Sequence, residues 1–289
     1  RGQSRPPAEL VVEPAAVISG MEKCFFFIDS STVYSWFCFN KGKNKGNQIY
    51  IIKIRRWKMQ DIISQWNRAA AKYTEDQECS EFVESNKRIV KARFEYFSGE
   101  KVLDLGCGYG VYADYFRSIG GDVIGVDGSE KMIEIARKRY PDIDFSIMDI
   151  TAPFTFEKDQ FDVVFSNQVF MDIENIDFVF SECRRILKTG GILYYSIVHP
   201  AFYDCYWLKD SNGYRYAKAM DKYIKTYQFK NVFWGETEHF HRPLSYYLNV
   251  AAKNGFVLKQ TCEPISYDGI SKNSDLPLFF FAEYIKANV

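Results

Sequence analysis

From Met59 onward the apolar positions repeat with regular periods, and before it they do not. MQDIISQWNRAAAKY spaces Ile62, Ile63, Trp66 and Ala70 along one face of a helix. CSEFVESNKRIVKARFEYF predicts a second helix, with Phe82, Ile89, Val90 and Phe94 as its stripe and Gly99 as its stop. Short apolar runs then alternate with amphipathic stretches. Strands are predicted over 101–105, 122–126, 144–148, 161–166 and 191–198, and helices open near Tyr109, Ser129 and Asn175. A loop without helical spacing links the third of these strands to the fourth. RPLSYYLNVAAKNGF predicts a further helix closed by Gly255, and FVLKQTCEPI and LPLFFFAEYIKA two more strands joined by a polar loop. Apolar strands alternating with helices imply an α/β fold, a largely parallel sheet covered on both faces.

Two stretches break this rhythm. Residues 1–58 show no sustained helical or strand period and read as a loosely structured N-terminal extension, with Met59 a candidate start of the regular domain, 59–289. The second is 201–247, whose 47 residues include 14 aromatics. That is too long for a plain connection and suggests a functional insertion, a cap.

Charge is zero overall but unevenly placed. Residues 1–58 hold 10 Lys/Arg against 4 Asp/Glu, so the remainder is net acidic. Seven basic residues and no acid lie between Lys41 and Lys58, a possible nucleic-acid arm, while the acidic remainder argues against a large nucleic-acid surface. The seven cysteines include no Cys-x-x-Cys pair, which fits a reduced, cytoplasmic setting better than a disulfide framework. The apolar run 24–39 contains Asp29 and is too short and polar to span a bilayer, so no membrane association is expected.

The chemistry concentrates in VLDLGCGYG. A glycine turn between a strand and a helix is a nucleotide cradle. The dinucleotide spacing Gly-x-Gly-x-x-Gly fails here, because Gly106, Gly108 and Gly110 are followed by Val111. Asp104 would also repel a pyrophosphate drawn to the helix N-terminus. A cationic ligand reverses that objection. S-adenosylmethionine carries a sulfonium and an ammonium and no phosphate, so an acid near its amino-acid end is favourable. Gly106 and Gly108 let the backbone approach, and Cys107 between them reads as a small filler in the same turn. The next strand ends on Asp127, followed by Gly128; an acid there can accept ribose hydroxyls. Ser129 reads as an N-cap, and Met132 can pack on the adenine. The third strand ends in Asp149, suited to the adenine amino group, with Ile150 against the ring. Each acid alone also fits a turn or cap. Three at one edge of successive parallel strands point to a ligand, because open α/β sheets bind there.

With these motifs in place, the chain resembles the class I S-adenosylmethionine-dependent methyltransferases that act on small molecules. The matching stretches are VLDLGCGYG, GVDGSEKMIEIAR, MDI, FDVVFSNQVFMDIEN and ILKTGGILYYSIVHP. The resemblance covers about 59–289 and implies a Rossmann-like, doubly wound, seven-stranded sheet with its last strand antiparallel. It also implies that Asp104, Gly106, Gly108, Asp127, Asp149 and Ile150 line the cofactor site. Asn167 and Gln168 would face the cofactor's reactive end, and Trp66 and Tyr73 would cover it from an N-terminal lid helix.

The acceptor side is less constrained. A base is needed only if the acceptor is protonated. Of three histidines, His199 follows the fifth strand at the active edge, and His239 and His241 close the insertion; His199 and His241 are the preferred catalytic candidates, each with a structural alternative. No acid cluster accompanies His-x-His, so no metal site is predicted. Tyr203, Tyr206, Trp207 and Trp234 are candidate acceptor walls, or simply a second small core. Arg242 suits a substrate carboxylate or a turn cap. SNQV replaces the motifs of base methylation, so the expected acceptor is the O or N atom of a small molecule. The alternatives are an RNA methyltransferase using the basic arm and a cofactor-binding protein without turnover. Nothing in the sequence fixes the oligomeric state.

Overall fold

A computed structural model of the chain describes residues 23–28, 33–40, 48–55, 59–78, 80–232, 234–265 and 275–288. The basic residues 41–47 and most of the polar loop before the last strand lie outside them. The chain divides into two compact units, Arg1–Asp61 and Ile62–Val289.

The first unit holds more regular structure than its pattern predicts. Strands β1 (Lys23–Ile28), β2 (Val33–Asn40) and β3 (Gln48–Arg55) form an antiparallel sheet in that order. Their sequences KCFFFI, VYSWFCFN and QIYIIKIR carry apolar residues at consecutive positions, so no period of two marks them. Their aromatic and β-branched content is the signal that favours strands.

In the second unit α1 (Met59–Glu78) and α2 (Glu81–Arg93) precede the sheet. The α2 helix stops short of Gly99: Phe94 is already extended, and Phe94 and Phe97 turn into the core. Then follow β4 (Lys101–Leu105), α3 (Val111–Ser118), β5 (Asp122–Asp127), α4 (Glu130–Arg139), β6 (Asp144–Ile147) and β7 (Phe161–Asn167). A single 3₁₀ turn, Phe170–Asp172, leads into α5 (Ile176–Ile186) and β8 (Leu187–Val198). β8 begins earlier than its apolar run suggests, because Lys188–Gly191 pass through an irregularity in the ladder with β7. Four short strands, β9 (Tyr206–Lys209), β10 (Arg215–Ala219), β11 (Tyr227–Asn231) and β12 (Thr237–His241), make two separate hairpins within 201–247. Last come α6 (Leu244–Lys253), β13 (Phe256–Cys262) and β14 (Phe279–Lys286).

The seven-stranded sheet runs β13-β14-β8-β7-β4-β5-β6, and β14 alone runs against the direction of the other six. The order reverses beside β4, which places the glycine turn at the crevice where such sheets bind ligands. Alternate residues of each strand feed two cores. Leu103, Leu105, Val164, Leu193, Tyr195 and Phe280 join the α5 and α6 stripes, including Phe180 and Val250, on one face. Val102, Val163, Phe165, Tyr194 and Phe281 join Val90 of α2, Phe116 of α3 and Ile133 of α4 on the other. Period-two alternation between two apolar layers is why these strands read as continuous apolar runs. No helix among the described residues is long and apolar enough to cross a membrane.

Candidate functional site

The turn after β4 is shaped by three glycines in the left-handed region. Gly106, Gly108 and Gly110 have φ of +75°, +52° and +88°. A Cβ on Gly106 would sit 2.4 Å from Val169 Cγ2, and one on Gly110 would sit 2.7 Å from Phe145 Cζ. A Cβ on Gly108 would meet nothing within 4 Å, so that glycine faces open space. The Cys107 N–H is tied to the Val126 carbonyl at 2.9 Å, and its side chain packs behind the turn in the second core. Burial pushes its thiol pKa well up. Cys107, a candidate of the cofactor turn, thus places its side chain behind that turn.

Asp104 is 2% exposed and its Oδ2 has no hydrogen-bond partner. Burial pushes its pKa up to about 8, eased in part by the Ala113 N–H of α3 and raised further by the nearby Asp127 charge. A buried carboxylate oxygen left open is costly without a ligand. A cationic group there would supply the missing partner. The same carboxylate would reject a phosphate.

Asp127 is differently placed. Its Oδ2 accepts the Gly108 N–H at 2.9 Å and its Oδ1 accepts the Ser129 N–H at 2.7 Å. Burial raises its pKa, the two N–H donors oppose this, and the Asp172 charge adds to it. A carboxylate has about four acceptor positions, so room remains for two hydroxyls. Ser129 caps α4, its Oγ accepting the Met132 N–H at 3.2 Å. Met132 is buried in a small cluster with Ala70 and Tyr109. Ile150 is buried, whereas Asp149 is exposed and its Oδ1 accepts both the Thr151 N–H and hydroxyl, the turn-forming role open to any such acid.

Beyond β7, the polar ends of Asn167 and Gln168 turn to Ser196 on the neighbouring strand. Asn167 Oδ1 accepts from Ser196 Oγ at 2.7 Å, and Gln168 Nε2 donates to the same hydroxyl at 3.3 Å. Gln168 has φ +59°, a strained value for a non-glycine residue, and the Val169 side chain then closes on Gly106.

Helix α1 covers this edge. Ile63 touches Gly128, where a Cβ would lie 2.9 Å from its Cγ1. Asn67 Oδ1 accepts from Ser129 Oγ at 2.8 Å and from the Lys131 N–H at 3.1 Å. Trp66 donates to Asp172 Oδ2 at 2.9 Å and packs edge-on against Tyr73 at 5.2 Å. Trp234 joins them, 4.9 Å from Tyr73 and 6.2 Å from Trp66. Gln65 Oε1 accepts the Glu238 N–H at 2.9 Å, so α1 and β12 are bonded directly. Sequence reasoning missed Gln65, Asn67 and Asp172; nothing in local pattern separates them from ordinary helix and turn polar residues.

The three histidines separate clearly. His199 Nε2 lies 2.7 Å from Glu263 Oε1, and its Nδ1 accepts the Ala201 N–H at 3.1 Å. Both ring nitrogens are therefore occupied by protein groups, and burial lowers its pKa despite Glu263. His241 Nε2 donates to the Tyr223 carbonyl at 2.8 Å and its ring stacks on Tyr227 at 4.4 Å. Both preferred catalytic candidates are held by protein groups, and both also border the cleft described below. His239, set aside on sequence grounds, is 1% exposed and its Nδ1 lies 2.5 Å from Asp172 Oδ1.

A shallow cleft open to solvent lies beside these residues; His199 and His241 are among its lining, with Met171, Tyr203, Phe229 and Arg242, and His239 is not. Of the expected walls, Tyr203 lines it. Trp234 packs on the lid side instead. Trp207 is held between Arg215 and Lys218, 5.6 and 4.6 Å from its ring, and Tyr206 is 78% exposed. These last two project from the outer β9–β10 hairpin, whose strand alternation directs neighbouring side chains to opposite faces. Arg242 is buried; its Nη2 donates to the carbonyls of Ile173 and Glu174, the turn-capping role, while its Nη1 has no partner. Among the described residues no group of three or more His, Cys, Asp or Glu is placed to hold a metal ion.

Residues 103–195 match a methyltransferase domain family. A ubiquinone biosynthesis O-methyltransferase from Pelagibacter ubique is 27% identical over 164 residues, covering 55% of this chain and 62% of that protein. Its namesake from Roseobacter denitrificans is 36% identical over 103 residues, 34% of this chain and 41% of its own length. The chain thus spans less than two thirds of these relatives. A crystal structure of an S-adenosylmethionine-dependent methyltransferase from Mesorhizobium loti has the same fold, with a TM-score of 0.63 at 24% identity, over 72% of this chain and 99% of that one.

Proposed function

We propose that the chain is a class I S-adenosylmethionine-dependent methyltransferase that moves a methyl group to an O or N atom of a small-molecule acceptor, a reading supported by the methyltransferase domain match over 103–195 and by the relatives named above. The observation that carries this reading is the buried, unpartnered Asp104 carboxylate oxygen beside a glycine turn open at Gly108. S-adenosylmethionine, when bound, supplies an activated methyl on a sulfonium. Asp104 takes its ammonium end, the Gly106–Gly108 backbone admits its close approach, and Asp127 accepts the ribose hydroxyls with its remaining lone pairs. Met132 and Ile150 flank the adenine, and Asp149 lies at its amino edge. Trp66, Tyr73 and Trp234 exclude water from the reacting end.

The domain doing this runs over 59–289, with 201–247 as a cap on the acceptor and 1–58 as an extension. Its acceptor lies in the cleft against Tyr203 and Phe229, with Arg242 Nη1 available to an acceptor oxygen. The relatives named for ubiquinone biosynthesis are O-methyltransferases, which favours oxygen as the acceptor atom.

Calorimetric titration of S-adenosylmethionine and S-adenosylhomocysteine into the purified chain, with NAD as control, tests the reading. Micromolar binding of both and none of NAD is expected. Binding of NAD alone, or of none, overturns it.

A further inference from the structure

Most buried polar atoms at this edge are partnered, but one cluster is not. His239 Nε2, Thr237 Oγ1 and Asp172 Oδ1 are all buried without a hydrogen bond. Thr237 and His239 are two apart on β12 and project from the same face. His239 Nδ1 and Asp172 Oδ1 are in ion-pair contact at 2.5 Å, off the line of a straight hydrogen bond. The other Asp172 oxygen is held by Trp66 Nε1, so the carboxylate is fixed from the lid side. With Asp172 against Nδ1, the neutral ring presents the Nε2 lone pair, and nothing in the protein uses it.

The place is right for chemistry. Asp172 ends the turn that begins at Val169, and Val169 packs on Gly106 of the cofactor loop. Tyr203 and Phe229 are shared walls: both line the cleft, and both pack near the His239 ring, at 6.4 and 5.4 Å. The two rings pack on each other at 6.2 Å and stand between the cleft and the buried His239 ring. The charged and titratable groups around the ring are Asp172 from the 3₁₀ turn, Tyr203 from the cap, and Asp127 and Tyr73 behind Asp172, whose fields reach both of them.

We propose that His239, oriented by Asp172, is the proton acceptor for a hydroxyl on an aromatic acceptor that enters from the cleft and parts the Tyr203 and Phe229 rings to reach Nε2. This deepens the methyltransferase reading and rests on it. The acceptor O–H bond breaks and its proton goes to Nε2. The oxygen electron pair forms the new O–C bond, and the C–S pair leaves with sulfur as a neutral thioether. The imidazolium formed is stabilised by the Asp172 carboxylate until it releases the proton to solvent. Proton removal of this kind contributes roughly 10²–10⁴-fold to rate.

The test uses a chromophoric phenol, 4-nitrocatechol, added to the full chain saturated with S-adenosylhomocysteine, at a pH below the probe's own pKa. Wild type should bind the probe as its coloured phenolate, because the proton has moved to His239. In His239→Gln the bound probe should stay neutral, with its apparent pKa raised by about one to three units relative to wild type. Asp172→Asn should give a smaller shift in the same direction. S-adenosylhomocysteine binding, followed by calorimetry, should persist in both variants and reports that they fold. An equally ionised probe in His239→Gln, or a neutral or unbound probe on wild type with S-adenosylhomocysteine in place, overturns the proposal. If His239→Gln does not fold, unchanged ionisation in Asp172→Asn overturns it. Failure of wild type to bind S-adenosylhomocysteine instead sinks the methyltransferase reading, and this proposal with it.

Discussion

The glycine-turn edge and the 201–247 insertion reach a similar polar chemistry by opposite routes. At the glycine turn, neighbours in sequence make the site: Asp104, Gly106 and Gly108 follow one another, and Asp127 bonds Gly108 and Ser129 across adjacent parallel strands. In the insertion, distant segments make it: Asp172 meets His239 and Trp66, and Gln65 meets Glu238. The first region is fixed by local backbone geometry, and the second by bonds between α1 and β12. The difference teaches that the glycine-turn edge is specified by a short motif, whereas the arrangement around the insertion depends on tertiary closure.

The sharpest break of this contrast is at Gly106. A Cβ there meets Val169 at 2.4 Å on a left-handed backbone. Gly106→Ala should destabilise the domain by about 3 kcal/mol, combining backbone strain with overpacking, read by denaturant unfolding. A change below about 1 kcal/mol would mean the turn adapts and is not rigid.

Asp104 comes next. Asp104→Asn should weaken S-adenosylmethionine binding by about 1–3 kcal/mol in calorimetry. The pH dependence follows from its raised pKa, about 8 against roughly 4 unfolded. Between those values the ligand-free folded state holds a proton that the unfolded state has lost. The stability contribution is therefore full below about 4 and declines as pH rises toward 8. Melting temperature of the ligand-free chain should carry that downward slope, and Asp104→Asn should flatten it. Binding a cation should ionise Asp104, so calorimetry near pH 6 should show proton release through its dependence on buffer. Buffer-independent heats would contradict the assignment.

On the insertion side, Gln65→Ala removes the acceptor of the Glu238 N–H. About 1–2 kcal/mol of local stability should be lost, seen as faster amide exchange across 237–241 with little change at 104–110. Equal loosening of both regions would erase the contrast. The smallest effect belongs to Tyr206→Ser on the exposed hairpin: within about 0.5 kcal/mol in stability, and none on S-adenosylmethionine affinity.

The regular elements of the second unit were legible because each apolar layer imposes its own period on strand or helix. Where boundaries moved, tertiary packing moved them: Phe94 left helix α2 to fill the core beside Phe97 and Phe116, at 5.7 and 5.5 Å. The three strands of the first unit escaped detection because apolar residues at consecutive positions leave no alternation to read.

By itself the sequence determined the α/β order, the turn that needs glycine, and the acids at the strand ends, because each rests on residues close together in the chain. It could not decide among the histidines. His239 and His241 lie on the same face of one strand, two residues apart, and no local pattern distinguishes them. Hairpin register does: it sets Tyr227 opposite His241 and Phe229 opposite His239, and only the second ring is left facing Asp172. Which buried group finds a partner is a question of long-range contact, and folding alone answers it.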